Sequence, residues 1–332
     1  MLSCFYIIRL HKREGEDKLR PILIGLLAAL FFSFAFIFNR SMELAGGSWV
    51  WSASIRFFFM LPILLIIVGF RRNIAPVLQH IKKHPVQWLL WSTVGFGLFY
   101  APLTFSTIYA PGWLVAATFQ LNIVAGSLLV PFINKTNRSI PIQSIIISII
   151  IIIGVFLMQI EHAENVPIAG IALTIVPLIV SAISYPLGNR KMMQLVNGEL
   201  NTIQRILGMT IASLPFWIIL SIYGAFTYGA PTQHQVMQTF IVAVFSGVIA
   251  TILFFYATEI VRHDNHKLAG VEATSAGEVI FALIGEIVLL GALFPNIISL
   301  IGIALVIFGI ILHSILSAII DRRKLLIKNE VI

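Results

Sequence analysis

Lysine and arginine occupy every second connector between the apolar segments of this 332-residue chain, and few folds tolerate that alternation. Counted from the N-terminus, the odd connectors carry Arg9, Lys12, Arg13, Lys18 and Arg20, then Arg71, Arg72, Lys82 and Lys83, then Lys135 and Arg138. Arg190 and Lys191, Arg262 and Lys267, and Arg322, Arg323, Lys324 and Lys328 follow. These are 19 of the 22 basic residues, and the even connectors around Gly46, Pro111, His162, Thr232 and Pro295 carry none. Membrane insertion retains short Lys/Arg-rich loops in the cytoplasm, so the pattern predicts a polytopic membrane protein with both termini cytoplasmic.

Composition names the same solvent. At 58% apolar and 11% charged residues, with mean hydropathy +0.96, the chain could not cover a soluble surface with polar groups. A hydrocarbon core about 30 Å thick needs roughly 20 helical residues. Segments of that length recur ten times, near 21–41, 49–69, 88–109, 113–133, 141–160, 168–188, 203–223, 238–258, 269–291 and 297–319. The expected fold is therefore all-α with ten transmembrane helices. Trp49, Trp51, Trp113, Trp217, Tyr223 and Tyr228 near outer ends, with Trp88 and Trp91 near an inner one, form the expected aromatic belts. The net charge of +8 lies on one side of the bilayer, where anionic lipid headgroups and not nucleic acid are the partner. Cys4 is the only cysteine, which excludes an intrachain disulfide. The apolar patch from Phe5 to Ile8 is too short for a signal-peptide core, so residues 1–20 read as a cytoplasmic tail.

The chain repeats itself. Asn39-Arg40-Ser41-Met42, at the end of the first segment, matches Asn189-Arg190-Lys191-Met192 at the end of the sixth. Arg56 then follows Arg40 by 16 residues and Arg205 follows Arg190 by 15, with Pro62 and Pro215 inside the next segments. Residues 21–160 and 168–320 thus form two repeats of five helices, with a tail at 321–332. An odd number of spans per repeat forces equivalent helices to cross in opposite directions, the inverted arrangement by which secondary transporters expose one midplane site to either side.

Ten spans in a 5+5 inverted repeat, with the glycine-punctuated last segment Ile301-Gly302-Ile303-Ala304-Leu305-Val306-Ile307-Phe308-Gly309, resemble the drug/metabolite transporter superfamily. The stretch from Tyr109-Ala110-Pro111-Gly112-Trp113 through Thr118-Phe119-Gln120 and Val124-Ala125-Gly126 to Pro131-Phe132 resembles its multidrug-resistance efflux branch. The resemblance implies a plasma-membrane exporter of small organic molecules. Two departures stand out: Ala292 follows Leu290-Gly291 where the superfamily commonly has glutamate, and the first segment lacks the glutamate on which four-helix multidrug exporters rely.

Ionisable groups inside a bilayer cost several kcal/mol when unpaired, so each is a functional candidate. The ninth segment holds Glu272, Glu278 and Glu286, which at about 100° per residue share an arc of about 120°. Glu278 lies roughly 15 Å deep, near the midplane. A carboxyl there can alternate between a proton and a substrate. The fourth segment carries the non-titratable Gln120 and Asn122 at comparable depth, suited to orienting substrate or to hydrogen bonding between helices. Phe31, Phe34 and Phe38 share one stripe of the first segment, and with Tyr100, Tyr109 and Trp113 they are candidates to line a cavity for lipophilic cations. Arg56 and Arg205 are structural or bind an anionic group, and Arg40 is expected to pair with Glu43 at the interface.

Proton-coupled export leads this reading. A facilitated amino-acid or metabolite carrier, or a membrane scaffold or sensor, are the alternatives; an intramembrane enzyme lacks a catalytic dyad. No cofactor is expected, since no Walker loop or dinucleotide fingerprint occurs. His263-Asp264-Asn265-His266 has too few ligands for a metal, and Asn137-Arg138-Ser139 lies on the side where glycosylation does not occur. Gly302 and Gly309 could support a homodimer or pack within the monomer.

Overall fold

The computed structural model describes residues 2–70, 73–133, 142–165, 167–262, 267–268, 270–271 and 274–330, and among these every regular element is a helix. In lipid a backbone must bond within its own segment, which apolar sequences of this length achieve as helices. The helices are α1 (Leu2–Leu44), α2 (Trp49–Gly69), α3 (Ile74–Lys83), α4 (Pro85–Ser92), α5 (Leu98–Ser106), α6 (Gly112–Phe119) and α7 (Leu121–Ile133). They continue with α8 (Ile142–Asn165), α9 (Ile168–Val196), α10 (Thr202–Tyr228), α11 (Gln233–Val242), α12 (Thr251–Ile260), α13 (Gly277–Leu290) and α14 (Ile297–Glu330). α1 runs unbroken from Leu2 through the segment expected as a tail.

Among the described residues, seven helical stretches are long and apolar enough to cross a membrane: Arg20–Leu44, Trp49–Gly69, Pro85–Ser106, Gly112–Leu129, Ile168–Val196, Thr202–Tyr228 and Gln233–Ile260. Ile149–Ile160 and Ile297–Leu312 are shorter apolar helices in the fifth and tenth expected segments. The chain is thus a multi-pass membrane protein.

Polar side chains set several boundaries. Ser48 caps α2 by accepting from the Val50 amide, and Asn201 and Gln204 close a reciprocal capping box at the start of α10. Two crossings are interrupted by wider π-helical turns, Thr93–Gly97 between α4 and α5 and Ala243–Ala250 between α11 and α12. A third breaks at Gln120, between α6 and α7. Such turns shift the ladder by one residue and re-aim the side chains that follow.

The helices pair across the chain. α2 packs on α10, α5 on α9, α1 on the π turn before α12 and on α12 itself, α6 on α13, and α8 most extensively on α14. The last pair approaches to backbone contact: a Cβ on Gly302 would lie 2.6 Å from the Gly154 carbonyl oxygen. A Cβ on Gly309 would likewise meet the Ile151 side chain at 2.8 Å, so both glycines of α14 are used inside the monomer.

Candidate functional site

A small cavity lies between α1, α2, α5, α6, α9, the π turn Ala243–Ala250 and the start of α13, and its polar lining comes from Arg56, Tyr100, Tyr185, Ser246 and Glu278. Its volume of about 20 Å³ has room for a water or two. Phe32, Phe36, Phe99 and Phe119 supply most of the apolar wall.

Arg56 sits seven residues into α2 and is 3% exposed. One guanidinium nitrogen, Nη2, donates to Ser246 Oγ at 3.2 Å, and the plane lies 3.9 Å from the centre of the Tyr100 ring. Among the described residues its Nε–H has no partner. Ser246 belongs to the π turn Ala243–Ala250, which carries its hydroxyl to the arginine. Tyr100 is fixed in turn: Asn39 Nδ2 donates to its hydroxyl at 3.0 Å. The asparagine of the repeated Asn-Arg motif therefore orients the ring under Arg56.

Glu278 stands in the first turn of α13 and is 4% exposed. Among the described residues its carboxyl has no hydrogen-bond or ion-pair partner. The backbone before it is a single 3-10 turn, Thr274–Ala276, clamped by Gln120. Ser275 Oγ donates to Gln120 Oε1 at 2.8 Å, and Gln120 Nε2 donates to the Ser275 carbonyl at 3.1 Å. Gln120 thus sits at the break between α6 and α7 and positions the turn that aims Glu278, without itself lining the cavity. Asn122 is buried nearby on α7, also outside the lining.

Glu286 occupies a different place. Its Oε1 accepts from the Gly112 amide at 2.8 Å and its Oε2 from the Trp113 amide at 3.1 Å, which pins α13 to the N-terminus of α6. Free amides at a helix start favour an anion. A Cβ on Gly112 would meet the Phe36 carbonyl at 2.6 Å and Glu286 Oε1 at 2.8 Å, so only glycine admits this contact. Glu272 and the His263–His266 connector lie outside the described residues.

Of the aromatic candidates, Tyr100 lines the cavity; Phe34, Phe38, Tyr109 and Trp113 do not. Phe32 and Phe36 face the cavity instead, and Phe34 is about 200° around the helix from Phe32. Phe34 stacks on Phe38 and Phe245, Tyr109 packs on Phe105, and Trp113 is buried. Arg40 and Glu43 interact through their charges but make no direct salt bridge; Arg40 Nη1 instead donates to the Thr107 carbonyl at 2.9 Å, where α5 ends with unsatisfied oxygens. Arg205 is 2% exposed and ion-pairs with Glu259 at 3.0 Å, with the Phe255 ring 5.0 Å away. Tyr185 and Ser246 were not singled out from sequence. One signal pointed to Tyr185: it precedes Asn189 by four residues as Ala35 precedes Asn39, and both line the cavity. Nothing in the sequence marked Ser246.

Among the described residues, no three His, Cys, Asp or Glu side chains cluster as metal ligands would.

Residues 19–319 match a family model described as "Putative multidrug resistance efflux transporter". Two curated proteins are similar to the chain. "Uncharacterized protein YjlA" of Bacillus subtilis (strain 168) is 50% identical over 309 residues, covering 90% of this chain and 95% of the relative. An uncharacterized 42.1 kDa protein of Shouchella clausii is 48% identical over 268 residues, covering 78% and 70% respectively. One solved structure, titled "Crystal structure of protein", shares the fold at TM-score 0.64 and 13% identity, over 91% of this chain and 99% of that one.

Proposed function

We propose that this chain, which belongs to the putative multidrug resistance efflux transporter family and is a membrane transporter rather than an enzyme, exports small organic molecules in exchange for protons. The observation that carries the reading is Glu278: a carboxyl buried in a cavity between crossing helices, with no partner among the described residues. A buried ionisable group is costly unless a ligand or proton satisfies it, and an antiporter needs a group that takes either in turn. Glu278 alternates between the two; Gln120 holds the turn that aims it, and Glu286 holds α13 on α6. Glu272, at the cytoplasmic end of the ninth segment, serves as a relay to that side.

The helix pairing supports an inverted repeat. If the first five segments are related to the last five by a two-fold axis in the membrane plane, contacts of the second segment with the seventh, the fourth with the ninth and the fifth with the tenth map onto themselves. Those of the third with the sixth and the first with the eighth exchange. The observed pairs include α2 with α10, α6 with α13, α8 with α14, α5 with α9 and α1 with α12, and also α1 with α13 and α7 with α9, which exchange in the same way. The basic connectors support cytoplasmic termini in a plasma-membrane protein. A cavity of about 20 Å³ encloses no organic substrate, so loading requires the lining helices to part, as alternating access demands.

The test is proton movement in liposomes containing the purified protein, followed by an internal pH dye during challenge with lipophilic cations, amino acids and nucleosides. Substrate-triggered proton flux supports the proposal. Exchange of a metabolite without proton flux replaces it with a facilitated carrier, and no movement of any compound removes transport altogether.

A further inference from the structure

The cavity presents a guanidinium and a carboxyl, of opposite charge once Glu278 has released its proton, to whatever enters it. Arg56 and Glu278 come from different helices, are 3% and 4% exposed, and line the same space without forming an ion pair with each other. Arg56 has no carboxylate partner among the described residues. Its plane is held by Tyr100 and its Nη2 by Ser246, so the fork is already oriented, and among the described residues its Nε–H lacks an acceptor. Arg205 shows what a buried arginine in this fold looks like when its role is structural: a carboxylate, Glu259, meets it at 3.0 Å.

A lone guanidinium so deep is costly, and a planar oxyanion satisfies it best because two parallel N–H donors meet two oxygens. Glu278 has the converse need for a cationic donor. A simple cation would answer Glu278 and be repelled by Arg56 in a low-dielectric site; a simple anion would answer Arg56 and be repelled by Glu278. A molecule carrying both charges answers both, and Phe32, Phe36, Phe99 and Phe119 would wall its apolar body once the lining helices part. We infer that the substrates are small zwitterions of the amino-acid type, with the oxyanion on Arg56, the ammonium on Glu278 and an apolar or aromatic side group on the phenylalanines. The inference rests on the transporter reading above and narrows its substrate class.

Matched triads that differ only in charge test it. Phenylalanine, phenethylamine and 3-phenylpropanoate share one body; leucine, isoamylamine and 4-methylpentanoate share another. Binding to the purified full-length protein is read from ligand-induced thermal stabilisation, and transport from counterflow in liposomes. The expected result is that each zwitterion binds at least about 10-fold more tightly than its amine and its acid, as one charge-assisted contact implies. Arg56→Gln should erase the advantage over the amine, and Glu278→Gln the advantage over the acid. Arg56→Lys, which keeps charge but not the fork, should retain part of it. Should a variant fail to fold, the wild-type ranking decides alone. Amines bound and moved as well as zwitterions would overturn the inference while leaving proton-coupled export standing. So would binding of tetraphenylphosphonium with no response to either triad, or a preference for the acids. Failure to move any compound of any charge would remove the transporter reading and this inference with it.

Discussion

Two arginines lie at matching places after the repeated Asn-Arg motif, and the molecule treats them differently. Both are buried and both face an aromatic ring, Arg56 over Tyr100 at 3.9 Å and Arg205 over Phe255 at 5.0 Å. Arg205 also has Glu259, whose carboxylate contacts Arg262 as well, so its charge is balanced inside the protein. Arg56 has a serine hydroxyl and a cavity. The difference separates a frame, in which polar groups complete one another, from a working seam in which they are left open. Glu286 and Glu278 divide in the same way eight residues apart on one helix: two backbone amides meet the first and none of the described residues meets the second.

If that division holds, substitutions in the seam remove transport at little cost to folding, and those in the frame do the reverse. The largest effect belongs to Arg56→Met, which should lower counterflow of the preferred substrate by about 100-fold or more, equivalent to about 2.7 kcal/mol. It should leave thermal stability unchanged or raised, because an unbalanced buried charge has gone. Arg205→Met should cost about 1–2 kcal/mol of stability by removing one of the two arginines that meet Glu259, seen as a fall in melting temperature. A melting temperature lowered equally by both substitutions would erase the distinction. Gly302→Val drives a side chain into the Gly154 carbonyl and should cost about 1–3 kcal/mol by separating α8 from α14, measured by thermal unfolding in micelles. Glu286→Gln should cost about 1–2 kcal/mol by weakening the charge-assisted bonds to Gly112 and Trp113.

The smallest effect lies outside the spans. His80 of α3 accepts the Trp88 indole N–H on Nδ1 at 2.9 Å, and burial holds its imidazole below the ordinary pKa against the opposing pull of Glu199. The folded state then binds fewer protons than the unfolded, so this contribution is complete above about pH 6.5 and is lost as pH falls below it. Melting temperature should drop by the equivalent of about 1 kcal/mol or less between pH 7.5 and pH 5, and His80→Gln should flatten that slope.

Much of this division was beyond the sequence. The segments announce themselves because twenty apolar residues have little else to do than cross a bilayer, and Glu278 because charge at that depth is rare. Which face of a helix looks inward is a different matter. In a soluble helix the polar face marks the outside, but here lipid and core are both apolar, so Phe32/Phe36 and Phe34/Phe38 read alike. Only the first pair lines the cavity. Glu286 shared an arc with Glu278, yet its partners are backbone amides on another helix, which no side-chain pattern encodes. The same holds for Gln120, whose role depends on where Thr274–Ala276 tightens into a 3-10 turn.

The central claim is that the unpartnered carboxyl of Glu278 couples transport to protons. It is tested most directly by comparing wild type with Glu278→Gln, reconstituted in liposomes at equal density, for substrate-triggered proton flux under an imposed pH gradient. The account predicts a variant that folds with unchanged stability and whose substrate-linked proton flux is absent. Full proton-coupled transport by that variant would contradict it.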